Sequence, residues 1–361
     1  MDVLFNLPVL GFVFQFLAYL VEALFVTNLP AQTLQLATPI ALGALCGVMN
    51  ERSGIVNIGI EGMMLTAAFV GFMAAVLVSD AMPDAAPGLL GATPALLVGV
   101  LAAVGAGMLV SLLHAWLCIT VRADQIISGT VINITALGLT GYLNRLINPS
   151  GSAGTLDVIR PPAELLDLPI LGWFVRMFFT SGPITTSVII FVIILQVMLF
   201  RSRWGLRTRA VGEHPRAADT VGIDVVRVRY RNVILGGIFA GLAGAWLTLE
   251  YNASFQNGMS ANRGFIALAA VIFGRWTPIG AFGGALLFMV SEALGIAIRS
   301  NPPPGDLGVF LSGIQASYPS MYNNFFGALP YLLTLIVLAG VVGRSIPPAS
   351  VGRPYVKEGA S

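Results

Sequence analysis

Long apolar runs occupy most of this chain and leave few charged residues to form a water-facing surface. Hydrophobic residues make up 56% of the 361 residues and charged residues only 10%, whereas soluble domains carry about 25% charged residues. A membrane-spanning helix needs about 20 mainly apolar residues. The candidate runs are 4–26, 33–49, 55–78, 94–119, 125–146, 183–200, 232–250, 264–275, 279–299 and 327–343.

These runs predict an all-α, polytopic helical membrane protein with about nine or ten transmembrane helices. The run 264–275 is short for a span, so it is expected either to re-enter the membrane or to kink against its successor. Glycine-rich stretches at 54–71 and 264–285 leave an internal repeat possible. The whole chain, 1–361, is predicted to be a single transmembrane domain.

The loop 201–231 concentrates positive charge and orients the chain. It holds eight arginines against the three acids Glu213, Asp219 and Asp224, whereas the whole chain carries a net charge of only +2. Basic loops of membrane proteins lie on the cytoplasmic side. Alternation along the ten runs then places both termini in the cytoplasm and the loops 147–182 and 300–326 outside.

The middle of this basic loop has the pattern of a short helix. Pro215 suits a first helical position, Glu213 precedes it near the positive helix end, and Gly222 provides a stop. A helix over 215–221 would be about 10 Å long, too short to be stable without a partner. Two interpretations stay open on these residues: the arginines only fix topology and meet anionic lipids, or the helix docks a soluble partner.

The sequence offers no catalytic or cofactor site. The only lysine, Lys357, does not follow a glycine-rich turn, so the chain has no phosphate-binding P-loop. His114 and His214 are isolated, and Cys46 and Cys118 lie in apolar runs. The chain is therefore predicted to be no enzyme and to bind no cofactor or nucleic acid, so that any ATP would be hydrolysed on another chain.

Polar residues inside the apolar runs are the candidates for a transport pathway, because polar groups at membrane depth are costly. Asn57 and Glu61 are four residues apart and would share one face of a helix. Asn133 is expected either to face the pathway or to bond a neighbouring helix. The glycines around Glu61 are expected either to break a helix beside a polar cavity or only to allow close helix contact. Glu51 and Arg52 are predicted to form a cytoplasmic turn with local pairing.

Four segments resemble one family of transport proteins. They are VGEHPRAADTVGIDVVRVRY (211–230), NERSGIVNIGIEGMMLTAAFVGF (50–72), NRGFIALAAVIFGRWTPIGAFGGALLF (262–288) and LPYLLTLIVLAGVVGRSIPP (329–348). The first is similar to the cytoplasmic coupling segment of ABC-importer permeases related to the ribose and branched-chain amino acid permeases. The second and third resemble the nucleoside-type branch.

The resemblance implies a permease subunit of a nucleoside importer in a bacterial inner membrane. It implies a cytoplasmic ATPase that carries ATP and Mg²⁺, a second related permease and an extracytoplasmic nucleoside-binding protein. The ATPase-coupling residues would be Glu213, His214, Pro215, Arg216, Ala217, Ala218, Gly222 and Ile223. From the residues alone, an ion-coupled secondary transporter with Glu61 as the ion or proton group remains the alternative.

Overall fold

The computed structural model describes residues 8–25, 29–82, 86, 88, 91–147, 154–168, 171–340 and 345–356. Every regular element in these ranges is a helix. In chain order they are α1 Pro8–Phe25, α2 Leu29–Arg52, α3 Ile60–Ala81, α4 Pro94–Ala115, α5 Gln125–Ile147, α6 Ala163–Leu166, α7 Leu171–Phe179, α8 Pro183–Arg201, α9 Arg203–Glu213, α10 Pro215–Thr220, α11 Val225–Ala245, α12 Arg263–Phe273, α13 Pro278–Ser300, α14 Asp306–Ser317 and α15 Pro319–Gly340. One π-helical turn, Trp116–Thr120, extends α4, and another, Trp246–Tyr251, extends α11.

Seven helices in the described ranges are long and apolar enough to cross a membrane: α2, α3, α4, α5, α8, α11 and α13. The all-helical, polytopic prediction is confirmed, and each of the ten predicted runs overlaps a helix. The boundaries differ by more than four residues at three places, one of which is the run 327–343, whose helix α15 begins already at Pro319. The predicted span 55–78 begins only at Ile60, and the predicted span 232–250 belongs to a helix that begins at Val225. Residues 225–231 of the basic loop are therefore the first two turns of α11.

The chain divides into two compact units. One contains residues up to 37 together with 160–181 and 286–343, and the other contains 38–159, 182–285 and the segment from 344 onward. The prediction of one domain stays a prediction, as does the internal repeat. Within the first unit, the Tyr19 hydroxyl donates to the Asn301 carbonyl and the Leu307 N–H donates to Gln15 Oε1.

The two long stretches predicted as outer loops contain helices of their own. The stretch 147–182 holds α6 and α7, and the stretch 300–326 holds α14 and the start of α15. Residues 148–153 and 169–170 of the first stretch lie outside the described residues. The side of the membrane on which either stretch lies stays a prediction.

In the second unit, small residues let α4 and α11 pack backbone against backbone. A Cβ placed on Gly107 would lie 2.4 Å from the Gly237 carbonyl oxygen and 2.7 Å from Gly241 Cα. Gly71 of α3 approaches α4 in the same way, with Ala103 Cβ 2.8 Å from the position of its missing Cβ. Such contacts are typical of helices in membranes, where close packing replaces the hydrophobic effect as the force between helices.

The short run 264–275 forms α12, which has 11 residues and is about 16 Å long. A turn separates it from α13, and Arg275 and Trp276 in this turn have φ values of +52° and +54°. Arg52 holds the turn, because its Nε donates to the Trp276 carbonyl at 2.7 Å and its Nη2 to the Arg275 carbonyl at 3.1 Å. Of the two alternatives, a kinked continuation is wrong. At about 16 Å, α12 is only about half as long as the hydrocarbon core is thick, which is about 30 Å.

Candidate functional site

The chain loses helical structure between α2 and α3, where the sequence is rich in glycine and polar residues. The Ile55 N–H donates to the Asn50 carbonyl at 3.1 Å and the Gly54 N–H to the Glu51 carbonyl at 3.0 Å. This pair of bonds is a Schellman motif, which requires a left-handed residue, and Gly54 supplies it with φ +92°. Residues 53–59 therefore form a break between two membrane helices, and we call them the broken segment.

Asn57 lies in the broken segment and not on a helix. The prediction that Asn57 and Glu61 share one helical face is therefore wrong, because α3 begins only at Ile60. The Asn57 side chain is fully buried, its Nδ2 lies 3.5 Å from Met63 Sδ, and its Oδ1 has no hydrogen-bond partner. A buried amide oxygen without a hydrogen-bond partner is destabilising.

Glu61 caps the N-terminus of α12. Its Oε1 accepts a hydrogen bond from the Asn262 N–H at 2.9 Å and its Oε2 accepts one from the Gly264 N–H at 2.6 Å. Free N–H groups and the helix dipole make a helix N-terminus positive, so a carboxylate there is stabilising. Each oxygen of Glu61 thus accepts a backbone hydrogen bond from the start of α12, and a place for Glu61 in the substrate pathway stays a prediction.

Asn133 bonds to the backbone on both sides of the helix start at Ile60. Its Oδ1 accepts from the Gly62 N–H at 2.7 Å, and its Nδ2 donates to the Ile58 carbonyl at 3.0 Å. Asn133 thus bonds a neighbouring helix, α3, which is one of the two alternatives, and its place along a pathway stays a prediction. Asn133 of α5 therefore fixes where α3 begins.

Both polar atoms of the Val56 peptide are held by side chains from other helices. The Val56 N–H donates to Gln125 Oε1 at 2.7 Å, and the Val56 carbonyl lies 3.0 Å from His114 Nε2. Because a carbonyl only accepts, Nε2 carries the proton, and His114 Nδ1 accepts from the Ser128 hydroxyl at 3.0 Å. His114 of α4 therefore joins α5 to the broken segment, and no group of metal-ligating side chains occurs among the described residues.

Glu51 and Arg52 do not form the local pair that was predicted. The Trp276 indole N–H donates to the Glu51 carboxylate, while Arg52 donates to the two carbonyls of the same turn. Both side chains therefore hold the turn between α12 and α13. The broken segment is fastened to α12 at its two ends, through Arg52 before it and Glu61 after it.

A second carboxylate with the same role went unnoticed in the sequence. Glu250, in the π-helical turn after α11, accepts from the N–H groups of Ile184 at 2.6 Å and Thr185 at 3.0 Å, at the start of α8. The Thr185 hydroxyl donates to the same carboxylate at 2.6 Å and accepts from the Trp246 indole N–H at 2.9 Å. An acid in the last turn of an otherwise apolar run was the available signal.

The predicted coupling helix is present as α10, Pro215–Thr220, one residue shorter than predicted. Pro215 occupies its first position, and Gly222 ends it with φ +83°. The Ile223 N–H donates to the Ala218 carbonyl and the Gly222 N–H to the Asp219 carbonyl, a second Schellman motif. The remaining helix in this loop, α9, was not anticipated.

The coupling residues divide into buried and exposed ones. Ala218 is buried and packs with Val211, Val225 and Val228, with Ile223 partly buried beside them. Glu213, His214, Arg216, Ala217 and Gly222 are exposed, and Pro215 is half-buried. One side of α10 therefore packs against the start of α11 and the end of α9, and the other side is exposed.

Arg52 and two arginines of the basic loop 201–231 also lie over aromatic rings. The guanidinium groups of Arg52 and Arg209 lie 5.7 and 5.2 Å from the centre of the Phe200 ring, and that of Arg231 lies 5.2 Å from Trp204. Such cation–π contacts hold a charge in place without a counter-ion. These arginines therefore stiffen the base of the loop that carries α10.

Apolar spanning helices, a broken segment, a half-length helix capped by a buried acid and a short helix on a basic loop together define a helical membrane transport protein. A family model described as branched-chain amino acid transport system / permease component matches residues 29–338. The chain belongs to this family, so the resemblance seen in the four sequence segments is confirmed.

Three relatives illustrate the similarity. A protein named guanosine ABC transporter permease protein NupQ, from Bacillus subtilis, is 38% identical over 90% of this chain and 95% of its own length. The nucleoside ABC transporter permease protein NupC of Lactococcus lactis is 36% identical over 91% and 96%. A second guanosine ABC transporter permease protein of Bacillus subtilis, NupP, is 26% identical over 81% of both chains. No solved structure gives a significant match.

Proposed function

We propose that this chain is the membrane-spanning subunit of an ATP-driven importer of nucleosides. The observation that carries the proposal is the identity of 38% and 36%, over nearly the full length, to proteins named as guanosine and nucleoside ABC transporter permeases. A cytoplasmic ATPase would bind and hydrolyse ATP with Mg²⁺, and this chain would bind neither. The sequence supports this division of labour, because it contains no P-loop.

The further subunits follow from the family. An extracytoplasmic binding protein would deliver the nucleoside, and a second permease would complete the pathway. Two Bacillus subtilis proteins that bear the same description match this chain at different identities, 38% and 26%, which supports a pair of unlike permeases. The location would be a bacterial inner membrane with both termini in the cytoplasm, in agreement with the basic loop 201–231.

The geometry offers a route from the ATPase to the membrane interior. Movement of α10 would reach α2 through Gly212, because a Cβ on Gly212 would lie 2.2 Å from the Arg52 carbonyl oxygen. Arg52 holds the turn after α12, and Glu61 holds the start of α12. Displacement of α10 would therefore shift the broken segment and α12 together, as alternating access requires.

Buried neutral amides near the broken segment suit the passage of a neutral, polar substrate. Asn50, Asn57 and Asn232 each keep a buried side-chain oxygen without a hydrogen-bond partner. Selectivity would come mainly from the binding protein, so the permease itself would bind nucleosides only weakly. The ion-coupled alternative depends on Glu61, and both oxygens of Glu61 already accept backbone hydrogen bonds.

The test is uptake of labelled nucleosides into proteoliposomes. The vesicles contain this chain, its companion permease and the ATPase, with binding protein outside and ATP inside. We expect uptake that requires ATP and the ATPase, with purine and pyrimidine nucleosides compared in one panel. Uptake by this chain alone under an ion gradient would overturn the proposal.

A further inference from the structure

The segment 345–356, which follows α15 in the chain, forms hydrogen bonds with the residues just before α10. The Ser350 N–H donates to the Gly212 carbonyl at 2.9 Å, and the Ser350 hydroxyl donates to the same carbonyl at 2.6 Å. The Ala349 N–H donates to Glu213 Oε2 at 3.1 Å. We call residues 345–356 the C-terminal strap. Its contacts fall on the residues immediately before α10, so the strap fixes the root of the coupling helix.

The strap also reaches the start of the broken segment. The Gly352 N–H donates to the Gly54 carbonyl at 3.2 Å. A Cβ on Gly54 would lie 2.8 Å from Ser350 Oγ and 2.8 Å from Arg229 Nη2. Gly54 is therefore the point where the strap, α11 and the broken segment meet, and its lack of a side chain makes that meeting possible.

Arg229 of α11 forms a hydrogen bond with the strap. Its side chain is only 1% exposed, and its Nη1 donates to the Arg353 carbonyl at 3.1 Å. Its Nε and Nη2 have no hydrogen-bond partner in the structure. Burying a cation with so few partners is costly, which points to a role in positioning the strap against Gly54.

Between the strap and α10 lies a groove of about 540 Å³. The coupling region contributes one wall with Glu213 to Ala217, and the strap contributes the other with Ala349, Ser350 and residues 353–356. The groove carries a net positive charge, because its walls hold Arg216 and Arg353 against the single acid Glu213, whose carboxylate accepts a hydrogen bond from the strap. Pro215, Pro354 and Tyr355 add apolar surface.

We propose that the C-terminal strap is the second half of the ATPase docking surface and that this groove receives an acidic, partly apolar element of the ATPase. This inference rests on the proposed function and extends it, since it assigns docking to two segments that lie more than 120 residues apart in the chain. The strap then transmits the movement of the ATPase to Gly54 as well as to α10.

Cysteine protection tests the docking surface directly. The two native cysteines are buried, so a single introduced cysteine reports its own exposure to a soluble maleimide. Ala217→Cys lies on the α10 wall and Val356→Cys on the strap wall, and both positions are exposed. Asp80→Cys, at the exposed far end of α3, serves as the control. The probe is the purified cognate ATPase, added to the assembled permease pair.

We expect the ATPase to protect Ala217→Cys and Val356→Cys at least fivefold relative to Asp80→Cys, since a bound interface excludes solvent from its core. Protection of Ala217→Cys alone would overturn the strap proposal and leave the proposed function intact. Protection of neither position would overturn both, which separates the two failures.

Charge reversal gives a second, independent readout. Arg353→Glu should weaken ATPase binding by about tenfold, as expected for loss and reversal of one interfacial charge. Arg227→Glu is the matched control, because Arg227 lies outside the groove and its side chain is 85% exposed. Equal binding by both variants would contradict the cationic groove as the docking site.

Discussion

The Glu61 carboxylate and the Gly264 backbone N–H form a 2.6 Å hydrogen bond between residues 203 positions apart. The bond joins the first turn of α3 to the first turn of α12. Gly264 packs so closely that a Cβ there would lie 2.5 Å from the Glu61 backbone nitrogen. The two helix starts are thus one structural unit, and the acid neutralises the positive end of the short helix.

The substitution Glu61→Gln tests this role. The amide keeps one acceptor, but its NH₂ group faces a backbone N–H that loses its partner. An unsatisfied buried donor costs about 1–3 kcal/mol, so we expect a lower thermal unfolding temperature of the purified permease pair.

ATP-driven uptake by the Glu61→Gln variant should fall only as far as the amount of folded protein falls. Asp80→Asn, an exposed acid at the other end of α3, is the control and should leave both quantities unchanged. Loss of uptake at an unchanged unfolding temperature would return Glu61 to the substrate or ion pathway.

A matched pair of glycines on α4 tests the close helix packing. Gly107→Ala forces a Cβ against the backbone of α11, whereas nothing lies within 4 Å of a Cβ on Gly105. Overpacking typically costs about 1–3 kcal/mol, so Gly107→Ala should lower the unfolding temperature and Gly105→Ala should not. Equal unfolding temperatures would show that α4 and α11 do not approach as described.

Local sequence signals were enough to predict the spans and the coupling helix. Pro215 and Gly222 act on their own backbone within a few residues, and the structure has both in the predicted roles. An apolar run of about 20 residues likewise depends only on its own composition. These elements are therefore readable without knowledge of the fold.

The hydrogen-bond partners of the buried polar groups could not be predicted from the sequence, because these partners are distant along the chain. Glu61 bonds to residues 262 and 264, Asn133 to residues 58 and 62, and Glu250 to residues 184 and 185. The error over Asn57 has a local cause, since a helical face was assumed across a stretch that Gly54 breaks. The sequence identified costly polar groups without showing which helix ends they cap.

Gly222→Val tests the coupling helix without a steric clash. Gly222 has φ +83° and nothing lies within 4 Å of a Cβ there, so the change acts through backbone strain alone. For a β-branched residue the left-handed region costs about 1–2 kcal/mol, which should loosen the end of α10 and not the membrane core. We expect ATP hydrolysis by the reconstituted complex to continue while nucleoside uptake falls several-fold.

Arg216→Glu tests the same helix through charge, because Arg216 is exposed on α10. Weaker ATPase binding and lower uptake are expected, with the unfolding temperature of the permease unchanged. Arg203→Glu, an exposed arginine at the start of α9, is the control for general loss of positive charge. Normal uptake in both Gly222→Val and Arg216→Glu would exclude α10 as the coupling element.

The network around Glu250 gives a test at the start of α8. Glu250→Gln removes the charged acceptor of the Ile184 and Thr185 N–H groups. The hydrogen bonds at the start of α8 should therefore break more often. Amide hydrogen exchange in a peptide covering residues 182–190 should become at least tenfold faster, whereas Glu164→Gln, an exposed acid in the first turn of α6, should have no effect.

Thr185→Val should produce a smaller increase, because it removes the hydroxyl between Trp246 and Glu250 but keeps the carboxylate. Unchanged exchange in Glu250→Gln would mean that the start of α8 is held by packing and not by this carboxylate.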